Sequence, residues 1–233
     1  MKSTVFINNK KINGFKDTKE LLSKIKNYKG LLIAVGIEKL LNDDKNFEKI
    51  INSNFTYPDG IGAVFALKRK GITSKKIPGA KLWLQMIEKY YKNKTFFLLG
   101  AKKEILEIVI DKLTLQFKGI KIVGYHHGYY DDEKSVINSI KKLKPDIIFT
   151  ALGSPKQEFL MQKSFNSHPA LYMGLGGSFD LYSGKIKDVP LWWNKYFKYE
   201  GLYRLFLNFG NLRRWKRQLI IFKFLKALLQ KKI

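Results

Sequence analysis

From residue 95 onward, short apolar runs alternate with longer stretches of helical texture: "TFFLLGAKKE", "IKIVGYHHG", "DIIFTALGSPK" and "ALYMGLGG" open four such units in succession. Strands separated by helices build a parallel sheet, because a parallel return needs a crossover long enough to hold a helix. This pattern constrains the fold more than any other feature of the chain. Strands are expected at 5–8, 31–35, 95–99, 120–124, 146–151 and 170–174. Helices are expected at about 17–27, 38–53, 61–70, 79–92, 102–117, 132–143 and 155–165. In "TVFINNKKI" Asn8-Asn9 stands between two short runs and predicts an opening hairpin. The expected class is α/β, a Rossmann-like parallel sheet with helices on both faces.

After Gly184 the texture changes. "VPLWWNKYFKYEGLYRLFLNFGNLRRWKRQLIIFKFLKALLQKKI" is aromatic, basic and helical in pattern, with breaks near Gly201 and Gly210. The division this suggests is an α/β catalytic domain over 1–190 and a basic helical C-terminal appendage over 191–233. Leu212, Trp215, Leu219 and Phe222 would share one helix face, into which Lys223 and Lys226 drift farther on.

Charge narrows the partners. The 44 Lys and Arg against 19 Asp and Glu give +25, a balance that suits polyanions: nucleic acid, an anionic membrane face or phosphorylated substrates. Only five of the basic residues are Arg, and four of them, Arg204, Arg213, Arg214 and Arg217, fall in the tail. Guanidinium forks grip phosphate bidentately and keep their charge, so this cluster reads as a phosphate contact; a solvated basic helix is the simpler alternative. The absence of cysteine rules out disulfides, thiolate metal sites and a Cys nucleophile, and fits a reducing cytoplasm. The first residues lack a signal-peptide core, and no stretch approaches the roughly 20 apolar residues of a membrane span.

In an open parallel sheet, ligands bind where strands end and helices begin, and helix N-termini suit phosphate. Three junctions qualify. "FFLLGAKKE" is a plain strand–turn–helix around Gly100. In "LGSPKQEFL", Ser154, Pro155 and Gln157 spell a capping box with Pro at the first helical position, while the same geometry aims Lys156 and Gln157 at the crevice. "MGLGGSFDLYSGK" allows a ligand close to its backbone. A fourth stretch, "TYPDGIGAVFALKRKG", sets Asp59 between Pro58 and Gly60, either as turn chemistry and a helix cap or as a group acting on substrate. No G-x-G-x-x-G follows a strand, no G-x-x-x-x-G-K-[ST] loop occurs, and there is no Asp-x-Asp to grip a metal–nucleotide-sugar complex. His126, His127 and His168 do not have metal-ligand spacing, and the pair reads as a strand-end turn.

"YPDGIGAVFALKRKG", "FFLLGAKKEI", "IKIVGYHHGYY", "LGSPKQEFL", "GLGGSFDLYSGKIKDVPLW" and "EGLYRLFLNFGNLRR" occur in the order seen in the WecG/TagA/CpsF glycosyltransferases, glycosyltransferase family 26, which the chain resembles over about residues 1–217. The resemblance implies an inverting transfer of N-acetylmannosamine or a related sugar from UDP to a polyprenyl-diphosphate-linked acceptor, in the synthesis of a cell-surface polysaccharide or a teichoic-acid-type polymer. It implies neither a cofactor nor a tightly held metal, and a C-terminal appendage that meets an anionic membrane and helps complete the active site. Asp59 matches the family's proposed catalytic base. The substrate-binding set is then expected to comprise Gly60, Gly100, Gly153, Ser154, Lys156, Gln157, Glu158, Gly176, Gly177, Arg204, Arg213, Arg214 and Arg217. The expected location is the cytoplasm, peripheral on the inner face of the cell membrane, and a homo-oligomer stays open.

The sequence departs from the family pattern in three places. Ala34 and Gly36 replace its usual Thr-x-Asn, Lys76 and Lys81 stand where it carries an Arg and an acid, and Asp188-Val189-Pro190 replaces its R-A-P. These changes bear on which sugar and acceptor are used. A nucleic-acid-binding protein is the alternative that the charge and the 14% aromatic content suggest, but no stacking or groove-reading motif accompanies them.

Overall fold

The computed structural model describes residues 3–186, 190, 203, 219–224 and 226–227. It opens with an antiparallel hairpin, β1 (Thr4–Ile7) and β2 (Lys10–Asn13). Asn8 and Asn9 both take positive φ, 46° and 61°, the two-residue turn whose twist matches that of the paired strands. Then follow α1 (Thr18–Lys24), β3 (Gly30–Val35), α2 (Ile37–Leu40), α3 (Lys45–Ser53), β4 (Phe55–Pro58), α4 (Ile61–Arg69) and α5 (Gly79–Tyr90). The remainder is β5 (Thr95–Gly100), α6 (Lys103–Gln116), β6 (Lys121–His126), α7 (Glu133–Leu143), β7 (Ile147–Ala151), α8 (Lys156–Ser167), β8 (Leu171–Gly174) and α9 (Ser178–Ser183).

Six strands form one parallel sheet in the order β4-β3-β8-β7-β5-β6. Successive side chains on a strand point to opposite faces, and each face carries its own apolar layer. On β5, Phe97 and Leu99 join the layer formed with α3, α4, α7 and α8. Phe96 and Leu98 join the layer formed with α1, α5, α6 and α9, where Trp83 stands edge-on to Phe149 and Phe179. Both layers are required by the near-continuous apolar runs, which leave no polar face to turn toward water.

Three expectations need correction. The helix expected over 38–53 is two helices, because Asp44 caps a new one through the amides of Asn46 and Phe47. β4 was not expected as a strand. It is an edge strand that ends in Pro58, where a missing N–H costs no ladder bond. The short α9 was not expected either. In the C-terminal stretch, residues 219–224 are helical; Phe224 is buried in the first layer beside Gly62, while Leu219 and Phe222 are exposed. Among the described residues, no helix is long and apolar enough to cross a membrane.

Candidate active site

From β5 the chain proceeds through α6 to β6 on one side, and from β7 through α8 to β8 on the other. The two helices lie on opposite faces, so the ends of β5 and β7 flank a crevice with no connection across it, the ligand position of doubly wound sheets. At its floor the two strands touch closely. Gly100 has φ 127°, and a Cβ there would sit 2.3 Å from the Ala151 carbonyl oxygen. This glycine is demanded by packing and by conformation together.

Asp59 lies at the end of β4, on the same rim. Its amide donates to the Val35 carbonyl at 3.0 Å, which ties the turn to the end of β3. The N-cap position of α4 is taken by the next residue, Gly60, with φ 99°. The half-buried carboxylate lies against the start of α5. A Cβ on Gly79 would come within 3.5 Å of Asp59 Oδ2 and 2.8 Å of the Tyr57 hydroxyl. Tyr57 is fully buried, and its hydroxyl has no hydrogen-bond partner among the described residues. Burial first, then the negative charges of Asp59 and Glu158, hold its ionisation well above the usual range. Gly36, at the end of β3, faces the Asp59 carbonyl, which an added Cβ would meet at 3.0 Å.

The expected capping box at α8 does not form. Pro155 is the N-cap, and Ser154 makes no capping bond. Gln157 is 4% exposed and turns inward, accepting from the Gly176 amide at 3.0 Å and donating to Glu158 Oε1 at 2.9 Å. Glu158, wholly buried, also accepts from Lys39 Nζ of α2 at 2.5 Å. The box fails because the tertiary structure offers Gln157 better partners than its own helix end.

The other expected positions divide by what lies over them. Among the described residues, a Cβ at Gly60, Gly153, Gly176 or Gly177 would meet nothing within 4 Å, so these backbone surfaces are open to a ligand there. Lys156 is exposed and holds its ammonium 4.8 Å from the Tyr130 ring centroid, a cation–π contact at the mouth of the crevice. Ser154 is exposed beside it. Arg204, Arg213, Arg214 and Arg217 lie outside the described residues. The His126-His127 pair serves a turn: His127 Nδ1 accepts from the Tyr129 amide at 3.3 Å. Among the described residues, no three His, Asp or Glu gather as a metal site.

Sequence reasoning missed Tyr57, Gly79 and Lys39. The first two adjoin proline-bearing turns, a weak signal that could have been followed. Lys39 is one lysine among many and carries no local mark.

Fold and crevice together place the chain among Rossmann-like α/β proteins that bind ligands across the strand ends. The glycosyl transferase WecG/TagA/CpsF family model matches residues 7–233, and the chain belongs to that family. It is 37% identical over 200 residues to the N-acetylglucosaminyldiphosphoundecaprenol N-acetyl-β-D-mannosaminyltransferase of Bacillus spizizenii, covering 84% of this chain and 76% of that one. With the enzyme of the same name from Bacillus subtilis it shares 36% over 193 residues, 82% and 74% of the two chains. The protein is a glycosyltransferase of the hexosyl-transferring kind.

Proposed function

We propose that the protein transfers an N-acetylmannosamine-like sugar from UDP to a polyprenyl-diphosphate-linked sugar, with inversion and without a metal. The observation that carries this reading is the position of Asp59, half-buried on the rim against the start of α5, near glycines whose backbone faces are open among the described residues. The relatives named above support the acceptor and the sugar. β4 and β7 are three strand spacings apart, about 14 Å. That leaves room for a nucleotide-sugar laid across the strand ends, with its sugar toward Asp59.

In one displacement, Asp59 takes the proton of the acceptor hydroxyl. The hydroxyl oxygen bonds to the anomeric carbon while the bond from that carbon to the UDP oxygen breaks, which inverts the centre. The negative charge gathering on UDP is met by amides of the loop around Gly153 and Gly176 and by Lys156. The tail arginines are assigned the same task. The absence of an Asp-x-Asp motif supports transfer without a metal.

The test is incubation with a panel of UDP-sugars and a short-chain lipid-diphosphate sugar, with products weighed by mass spectrometry, with and without chelator. A single transferred hexosamine in both conditions supports the reading. Transfer abolished by chelator removes the metal-free step, and no product with any UDP-sugar removes the donor.

The same reading assigns 191–233 to the membrane surface as a distinct appendage. Phe224 contributes to the core, so truncation would damage the body and the appendage at once. Charge reversal at the exposed Lys223 and Lys226, next to the exposed Phe222, separates the two. Each basic residue near an anionic bilayer adds about 1 kcal/mol, so the double reversal should weaken binding to anionic vesicles by at least about tenfold. Unchanged vesicle binding would remove this surface from the membrane.

A further inference from the structure

Four residues from three strand-to-helix junctions form one buried polar chain. Lys39, on α2 after β3, donates to Glu158 Oε1 at 2.5 Å. The same oxygen accepts from Gln157 Nε2 at 2.9 Å, and Gln157 Oε1 accepts from the Gly176 amide, after β8, at 3.0 Å. The side chains of Lys39 and Glu158 are 11% and 1% exposed. Glu158 Oε2 has no hydrogen-bond partner among the described residues. Gly174 lets the chain pass, since a Cβ there would lie 2.4 Å from Gln157 Nε2.

A buried ion pair is a poor way to stabilise a fold. Well-packed apolar residues of similar volume do as well or better. This pair does something that an apolar pair could not do. A backbone N–H can only donate, so Gln157 must turn Oε1 to Gly176 and Nε2 to position 158. That orientation needs an acceptor oxygen at 158, which Glu158 Oε1, fixed in place by Lys39, supplies. We infer that the Lys39–Glu158 pair is a positioning device that sets the polarity of the Gln157 amide and thereby holds the 175–177 loop at the donor site. Lys39 touches no substrate; it acts through Glu158 and Gln157. The role of this loop in donor binding rests on the reading proposed above, whereas the holding of the loop does not.

Two double variants separate positioning from packing. K39M/E158L replaces the pair by apolar residues, and K39M/E158Q keeps an acceptor oxygen for Gln157 without charge. Three quantities are read on each: thermal stability, exchange of the Gly176 amide by NMR, and KM against kcat for the UDP-sugar, with UDP binding followed separately. In K39M/E158L, stability should hold while Gly176 exchanges at least about tenfold faster and donor KM rises about tenfold with kcat within about threefold, the scale of one lost hydrogen bond. In K39M/E158Q, exchange and KM should return to within about threefold of the unaltered protein. Wild-type exchange and KM in K39M/E158L would overturn the inference, as would equal loosening in both variants. Should K39M/E158L fail to fold, Gln157→Met cuts the same link; accelerated Gly176 exchange there supports the inference and an unchanged rate overturns it. If the unaltered protein does not bind UDP, the donor reading fails while the exchange comparison still decides whether the pair holds the loop.

Discussion

On the flank formed by β4, β3 and β8, the strand ends bring ionisable groups inside: Asp59 and Tyr57 after and within β4, and Lys39 facing Glu158 across the junctions of β3 and β7. The flank formed by β5 and β6 brings backbone instead. Gly100 and Ala101 close onto Ala151, and the Gly128 amide donates to the Ala101 carbonyl at 2.7 Å. One flank therefore carries groups that can move protons or fix charges in a low-dielectric setting, and the other is a rigid cradle. A transferase needs both. The base must be held near the acceptor hydroxyl, and the loops that meet the leaving group must sit beside a frame that does not shift when charge appears.

Substitutions on the two flanks should therefore fail in different ways. The largest effect is expected at Asp59→Asn, which should lower turnover by roughly 10²–10⁴-fold with UDP affinity and thermal stability unchanged. A folded variant with full turnover would leave the first flank without a base. Gly100→Ala should do the reverse. Its Cβ would strike the Ala151 backbone at φ 127°, so stability should fall by about 3 kcal/mol in a denaturant titration. A smaller change than about 1 kcal/mol would show that the cradle yields.

A milder test is Tyr57→Phe. Removing a buried hydroxyl that has no partner among the described residues should raise stability by about 1 kcal/mol and leave turnover within about threefold. A larger loss of turnover would assign that hydroxyl to the substrate.

The smallest effect is expected at Asp146, at the far end of the sheet. Burial acts to raise its pKa, but hydrogen bonds from Thr95 and Lys94 outweigh it and hold it below the ordinary 3.8. The stability this gives is present above pH 3.8 and is lost as pH falls through the depressed value. Because the carboxylate is 38% exposed, Asp146→Asn should cost no more than about 1 kcal/mol at neutral pH. The difference from the unaltered protein should vanish in acid; a difference that persists there would place its origin in packing.

The order of strands and helices from residue 95 was legible because apolar runs and helical segments differ in period, and period is a local property. The opening hairpin was legible for a similar reason, since Asn-Asn readily takes the two positive φ values of the turn. β4 was not, because four residues ending in Pro58 have no period to read and become a strand only by pairing with β3. The break between α2 and α3 was present as the polar run Asn42-Asp43-Asp44, but the apolar residues on either side of it suit one helix equally well.

The site divided in the same way. Residue types alone marked the glycines at strand ends, because a glycine after an apolar run limits what the backbone can do locally; they left Asp59 open between a turn and a group acting on substrate, and only the resemblance to the family read it as a base. That Asp59 lies against the start of α5, and that Gln157 turns from its own helix to Gly176, were decided by the tertiary structure. So was the choice of Lys39 from 44 basic residues to be buried against Glu158. The physical reason is that burial and hydrogen-bond partners are supplied by segments distant in the chain, here 119 residues apart for Lys39 and Glu158. No local pattern encodes which of many similar side chains will meet them.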